Sequence, residues 1–189
     1  FFDLRVNGIK EISRDQVSLK LKNLGINHEW TRYSPLGLRF SKRYPIEGNK
    51  LYKNGNIEIQ GEASQIASIL IDAKPGMQIA EICSGAGGKS LILADIMKNK
   101  GRILSFDTNK KRLENAAIRL KRAGVHNVER RHVQKDWNVK GLQKKFDLVL
   151  VDAPCSGIGK WSRSPDSKFY FDKQKLDELV ELQYELLDK

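Results

Sequence analysis

The sequence predicts an α/β protein: a doubly wound, mostly parallel sheet carrying a small N-terminal α+β appendage. Three observations carry this. From residue 78 onward, short apolar runs alternate with helical spacing. A glycine-rich turn (Gly85, Gly87, Gly88) joins the first run to the first helix, and Leu148, Val149, Leu150 and Val151 are apolar without alternation, as expected of a strand buried on both faces of a parallel sheet. The division falls at residue 55, with 1–55 as the appendage and 56–189 as the core.

In the appendage, Ser13-Arg14-Asp15-Gln16 reads as a capping box opening a helix with Val17, Leu21 and Leu24 on one face and Gly25 as its stop. Residues 30–33, 37–40 and 56–60 read as extended, with turn chemistry at Ser34-Pro35 and Asn54-Gly55. Arg32, Arg39, Lys42 and Arg43 lie among them, either as a solvated surface or as a track for a phosphate backbone. Helical spacing returns over 61–71 with Ile66, Ile69 and Leu70 as the expected buried face, and Lys74-Pro75-Gly76 ends it. In the core, a strand around Ile79, Ile82 and Cys83 leads to a helix from Lys89. A strand over 102–107 leads to a helix over 110–123 closed by Gly124. Strands over 128–133 and 146–152 and a helix over 173–187 complete the order. A strand apolar on both faces needs a neighbour on each side, yet only a loop and one helix follow 146–152. The expectation is therefore a chain lacking the strands that complete its sheet, the front part of a longer protein.

A formal charge of +11 and a pI near 9.6 suggest a polyanionic partner such as nucleic acid, although a lysine-rich proteome would also give them. Two cysteines and no long apolar run fit a cytoplasmic protein in a reducing compartment, with no membrane partner. The start, Phe-Phe-Asp-Leu-Arg, is too short and charged for a signal peptide. His28, His126 and His132 have no metal-ligand spacing, so no metal is expected. A monomer is expected.

The glycine turn admits three ligands, besides being an ordinary tight βα turn. A phosphate-gripping loop needs a first glycine where Cys83 stands. A dinucleotide fingerprint needs a third glycine at Ser90, which leaves a nicotinamide-dependent oxidoreductase as a rival reading. S-adenosylmethionine needs no pyrophosphate cradle but does need an acidic partner for its ribose, and Asp107 ends the next strand. The polar residues at the strand ends, where ligands of such sheets sit, are Cys83, Asp107, Asp136 and Asp152. After the last strand, Asp152-Ala153-Pro154-Cys155-Ser156-Gly157 sets a cysteine behind a turn-stiffening proline and near an acid, a plausible nucleophile or acid/base participant.

Glu81-Ile82-Cys83-Ser84-Gly85-Ala86-Gly87-Gly88-Lys89-Ser90, Asp152-Ala153-Pro154-Cys155-Ser156-Gly157 and Arg163-Ser164-Pro165-Asp166 resemble successive motifs of the Sun/Fmu family of RNA cytosine-5 methyltransferases, in its bacterial ribosomal RNA branch. Gln60-Gly61-Glu62-Ala63-Ser64 and Asp107 with Arg112-Leu113 fit the same pattern. The resemblance covers residues 56 to 170 well and the first 55, a small RNA-binding appendage in the family, more loosely. It implies a class I Rossmann-like fold and S-adenosylmethionine held by Cys83, Ser84, Gly85, Ala86, Gly87, Gly88 and Lys89. Asp107 would stand at the ribose, Asp136 near the adenine and Asp152 near the reacting methyl, with Arg112 also among the cofactor-binding residues. The implied substrate is a cytosine in structured RNA, most plainly ribosomal: a cysteine adds to C6, C5 takes the methyl group, and loss of the C5 proton frees the enzyme. Departures are Glu81 where the family usually has Asp, and Ala86 where it has Pro. The family's attacking cysteine lies in a later motif, past Lys189, and Cys155 resembles the cysteine that assists product release.

Among the rest, Cys83 is expected to line the ligand site. Trp161 could stack a flipped base, while Phe169, Tyr170 and Phe171 are expected to cover part of the sheet. Lys110, Lys111, Arg119, Lys121 and Arg122 are expected to form a solvated helix face. Arg163 is the candidate RNA phosphate contact. A second rival is a truncated, non-catalytic module that binds RNA and cofactor.

Overall fold

The structure, a computed structural model, describes residues 2–134, 137–138, 141–160, 166, 169 and 172–188. The chain begins with β1 (Phe2–Val6), α1 (Arg14–Asn23), β2 (Glu29–Trp30), β3 (Gly37–Phe40), α2 (Lys50–Lys53) and β4 (Ile57–Ile59). These strands form an antiparallel sheet in the order β2-β3-β1-β4. Sequence reasoning missed β1, whose three apolar positions alternate with Asp3 and Arg5 inside a polar stretch. Leu4, Val6, Leu38, Phe40 and Ile57 share one face of the sheet and pack over Val17 and Leu21 of α1. The capping box of α1 is present: Ser13 Oγ accepts the Gln16 N–H, and Gln16 Oε1 accepts the Ser13 N–H. Leu24, expected on the buried face, is 61% exposed because the helix ends at Asn23 and Leu24 caps it.

The core continues as α3 (Glu62–Leu70), β5 (Gln78–Ile82), α4 (Gly88–Ile96), β6 (Arg102–Asp107), α5 (Lys110–Ala123), β7 (Val128–His132), β8 (Leu148–Val151) and α6 (Lys173–Asp188). Its strands are parallel in the order β7-β6-β5-β8. Ile79 and Ile103 pack with Leu93 and Ala94 of α4 and with Met97, which caps it, on one face, while Ala80, Leu104 and Phe106 cluster on the other. Among the described residues β8 pairs only with β5 and its other edge has no partner strand, the open side expected of a sheet that lacks strands, and Val149 is 58% exposed on the sheet's face.

The expected buried face of α3 is also corrected. Leu70 is 76% exposed and Ile66 and Ile69 are only partly buried, while Glu62, Gln65 and Ser68 are buried. The reason is that α3 lies against polar groups: Gln65 accepts the Ser34 hydroxyl (2.6 Å) and donates to Gln60 O (2.8 Å). The two sheets are fastened by charge. Arg5, fully buried, meets Asp95 of α4 at 2.8 Å, and Glu58, 1% exposed, meets Arg119 (3.2 Å) and Arg122 (2.5 Å) of α5. Gly55 permits this approach: its φ is +73°, and an added Cβ would come within 2.0 Å of Arg122 O.

Candidate functional site

Strand order fixes where a ligand can sit. β6 and β7 lie on one side of β5 and β8 on the other, so the loops after β5 and β8 leave in opposite senses and open a crevice at the strands' carboxyl ends. The two loops meet there. Asp152 N–H donates to Ile82 O at 3.0 Å, and Lys89 Nζ lies 2.5 Å from Asp152 Oδ2.

The loop after β5 turns through left-handed backbone at Cys83 (φ 61°), Gly85 (57°) and Gly87 (75°). Gly87 is also pressed against α5, where an added Cβ would lie 3.1 Å from that of Ala116. Cβ atoms added at Gly85 and Gly88 would meet nothing within 4 Å, so the outer side of the loop is open. Asp107, 6% exposed at the end of β6, accepts the Gly85 N–H (2.7 Å) and the Asn109 N–H (2.7 Å). Ser84 Oγ is buried with no partner. From behind, Arg119 donates to Ala86 O (2.7 Å) and Gln60 donates to Gly88 O (3.1 Å). Arg119 and Arg122 are therefore not the solvated face expected of them, since Glu58 holds both. Lys110, Lys111 and Lys121 are exposed. Arg112 is exposed in the first turn of α5, its N–H capped by Asn109 Oδ1.

Electrostatics separate the acids and thiols. Burial pushes the Glu81 carboxyl up to about 7, against the Ser90 and Ser105 hydroxyls that both donate to its Oε2. Burial, then Asp107 and Asp152, raise the Cys83 thiol, with Arg112 opposing. A thiol so disposed lines a site rather than attacks from it. Cys155 is exposed on the turn after β8, where Pro154 O accepts the Gln183 amide of α6 (2.8 Å).

The structure thus brings Cys83 to Lys89, Asp107 and Asp152 to one crevice. Arg39, by contrast, is committed to Asp3 (2.8 Å) and Glu62 (2.9 Å). Asp136 and Arg163 lie outside the described residues, as do Trp161, Tyr170 and Phe171. Phe169 is 79% exposed, unlike the cover expected of it. Sequence reasoning missed Trp137, whose ring stacks on Phe106 at 4.8 Å and 25°. The pair helps line a cleft of about 390 Å³ with Ala80, Ile82 and Val151. Phe106 immediately precedes Asp107, which is the one signal that could have drawn attention to it. Among the described residues no cluster of three His, Cys, Asp or Glu could hold a metal.

Residues 68–189 match the family described as 16S rRNA methyltransferase RsmB/F. The chain is 34% identical over 147 residues, 75% of its length, to the probable ribosomal RNA small subunit methyltransferase B of Bacillus subtilis, of which it covers 32%. It is 34% identical over 186 residues to a 28S rRNA (cytosine-C(5))-methyltransferase of Mus musculus, covering 97% of this chain and 23% of that one. The crystal structure of PH0851 superposes with a TM-score of 0.93 at 31% identity, over 99% of this chain and 42% of that one. A methyltransferase homolog protein from Pyrococcus horikoshii gives 0.75 at 31% identity, over 97% and 60%. The chain thus spans less than half the length of these curated relatives, and its parallel sheet has the Rossmann-like class I methyltransferase fold. With the glycine loop, Asp107 and the Asp152–Gly157 turn gathered at the switch point of that fold, the chain belongs to the 16S rRNA methyltransferase RsmB/F family.

Proposed function

We propose that the protein transfers a methyl group from S-adenosylmethionine to C5 of a cytosine in RNA, with ribosomal RNA as the substrate class. One observation carries this: the glycine loop with its Asp107 anchor and the Asp152–Gly157 turn face each other across β5 and β8, joined by Lys89 and Asp152 at 2.5 Å. The residues fit the cofactor. The loop's outer side is open at Gly85 and Gly88, the buried Ser84 hydroxyl has no partner, and a carboxylate stands at the end of β6. When bound, the cofactor supplies an electrophilic methyl group. The protein's own share is to seat it along Cys83 to Lys89, with Asp107 and Arg112 at the ribose and Asp136 near the adenine. Asp152 holds the cytosine edge, its charge balanced by Lys89. Cys155 assists product release, and Arg163 meets an RNA phosphate. The reading includes a cytoplasmic monomer that uses no metal.

Calorimetric titration with S-adenosylmethionine, followed by transfer of labelled methyl to unmodified ribosomal RNA, tests this. The chain should bind the cofactor, and Asp107→Ala should weaken binding at least about tenfold, the loss of a hydrogen bond to a charged group. Asp152→Asn should abolish transfer, while Cys155→Ser should slow turnover without abolishing the first transfer. A chain with no affinity for the cofactor would overturn the reading.

A further inference from the structure

The first elements run β1-α1-β2-β3-α2-β4, and their strands stand in the order β2-β3-β1-β4, the split βαβ arrangement. In RNA-recognition modules with such four-stranded sheets, aromatic side chains on the sheet stack bases across its open face. Here that face is closed. β1 and β3 present Asp3, Arg5, Gly37 and Arg39 on it in register, and β4 presents Glu58 opposite Arg5. Arg5 is fully buried against Asp95, Glu58 is 1% exposed under Arg119 and Arg122, and Arg39 bridges Asp3 and Glu62. The surface other modules give to bases is occupied here by the methyltransferase core.

What stays open is the edge strand β2 and the turn after it. Trp30 is 53% exposed and Tyr33 67%. Each has a guanidinium over its ring: Arg14 Cζ is 4.0 Å from the Trp30 centroid, and Arg32 Cζ 5.0 Å from that of Tyr33. The turn is held rigidly. Thr31 Oγ1 donates to Ser34 O (2.8 Å), Arg14 donates to the same oxygen (3.2 Å), and Glu62 Oε1 accepts the Tyr33 and Ser34 N–H groups (2.5 and 3.0 Å). Glu62 follows Gln60 by two residues, and Gln60 reaches Gly88 O of the glycine loop. Two residues of chain span at most about 7 Å, so this turn is tied through the start of α3 to the back of the glycine loop.

We infer that Trp30 and Tyr33, flanked by Arg14 and Arg32, form an RNA-docking edge that replaces the buried sheet face. A guanidinium can hold one face of a ring and leave the other to an unpaired base, while its charge balances a neighbouring phosphate. A net charge of +11 favours such a polyanion. The inference rests on the RNA reading above, and names where that RNA enters.

Fluorescence anisotropy of a labelled single-stranded RNA tests it, with a poly-glutamate peptide as a polyanion that has no bases. The Trp30→Ala/Tyr33→Ala variant should bind the RNA at least about tenfold more weakly, since base stacking on aromatic rings carries that much. Trp30→Phe/Tyr33→Phe should restore most of the affinity. Cofactor affinity by calorimetry and the melting temperature should stay at their wild-type values. Wild-type RNA affinity in a folded Ala variant would overturn the docking edge. So would an equal loss for poly-glutamate, or a wild-type chain that binds cofactor but no RNA. Intact RNA binding through these rings with no cofactor binding would instead sink the methyl-transfer reading alone.

Discussion

Glu81 sits at the base of the crevice with Oε2 taking two hydroxyls and Oε1 buried without a partner. Burial raises its pKa from 4.5 to about 7, and Asp152 adds to the rise while Lys89 opposes it. Because the folded value lies above the unfolded one, the folded state keeps a proton between pH 4.5 and about 7 that the unfolded chain has released. This group's contribution to stability is therefore full below the unfolded pKa and is lost as pH rises toward neutrality. The span corresponds to about 3 kcal/mol. Asp3 and Glu62 are shifted downward and act with the opposite sign, so wild type must be compared with Glu81→Gln, in which only the first effect is gone. Urea unfolding at acidic and neutral pH should show the variant gaining stability relative to wild type as pH rises. Parallel pH profiles for the two proteins would show that Glu81 titrates as in the unfolded chain.

At the scale of elements, the glycine loop is shaped by strand and helix neighbours far away in sequence. Gln60 holds Gly88 O from the end of β4, and Arg119, itself held by Glu58, holds Ala86 O from α5. These are positioning residues: they touch the loop's carbonyls from the side opposite its open surface. Gln60→Ala should weaken S-adenosylmethionine binding about 5-fold and Arg119→Ala at least about tenfold, the worth of one hydrogen bond from a neutral and from a charged donor respectively. Calorimetry reads the effect, and Arg119→Lys should not recover it, because a lysine cannot serve Glu58 and Ala86 O together. Unchanged affinities would mean that the loop keeps its shape unaided. The same contrast marks what was legible in the sequence. The capping box at Ser13, the glycine turn, the strand ending in Asp107 and the helix closed by Gly124 rest on neighbours a few residues apart, and all stand in the structure. Arg119 looked like a solvent residue because Glu58, 61 positions earlier, is invisible to local spacing. The polar buried face of α3 escaped for the same reason, being set by what packs beside it.

The whole molecule is joined across its two sheets by buried charge as much as by apolar contact. Asp95 Oδ2 accepts both the Arg5 guanidinium (2.8 Å) and the Gly8 N–H (2.9 Å), and the Asn7 side chain reaches Ala123 O (2.9 Å). Burial pulls the Arg5 pKa down, while Asp95 and Glu58 pull it back up. Such a pair adds little over an apolar substitute, but breaking it leaves a charge stranded. Arg5→Met should thus cost about 3–5 kcal/mol, toward the lower end because Asp95 keeps 12% exposure and its Gly8 donor. Arg5→Met/Asp95→Leu should recover part of that loss, since no charge is then left alone. Because the contact joins the antiparallel sheet to the parallel one, Arg5→Met should also loosen their coupling, and hydrogen exchange should rise in β1 and β4 before it rises in β5 and β6. A loss below about 1 kcal/mol, the range of exposed ion pairs, with uniform exchange across both sheets, would mean that apolar packing alone holds the antiparallel sheet in place and that its orientation behind the glycine loop does not depend on Arg5.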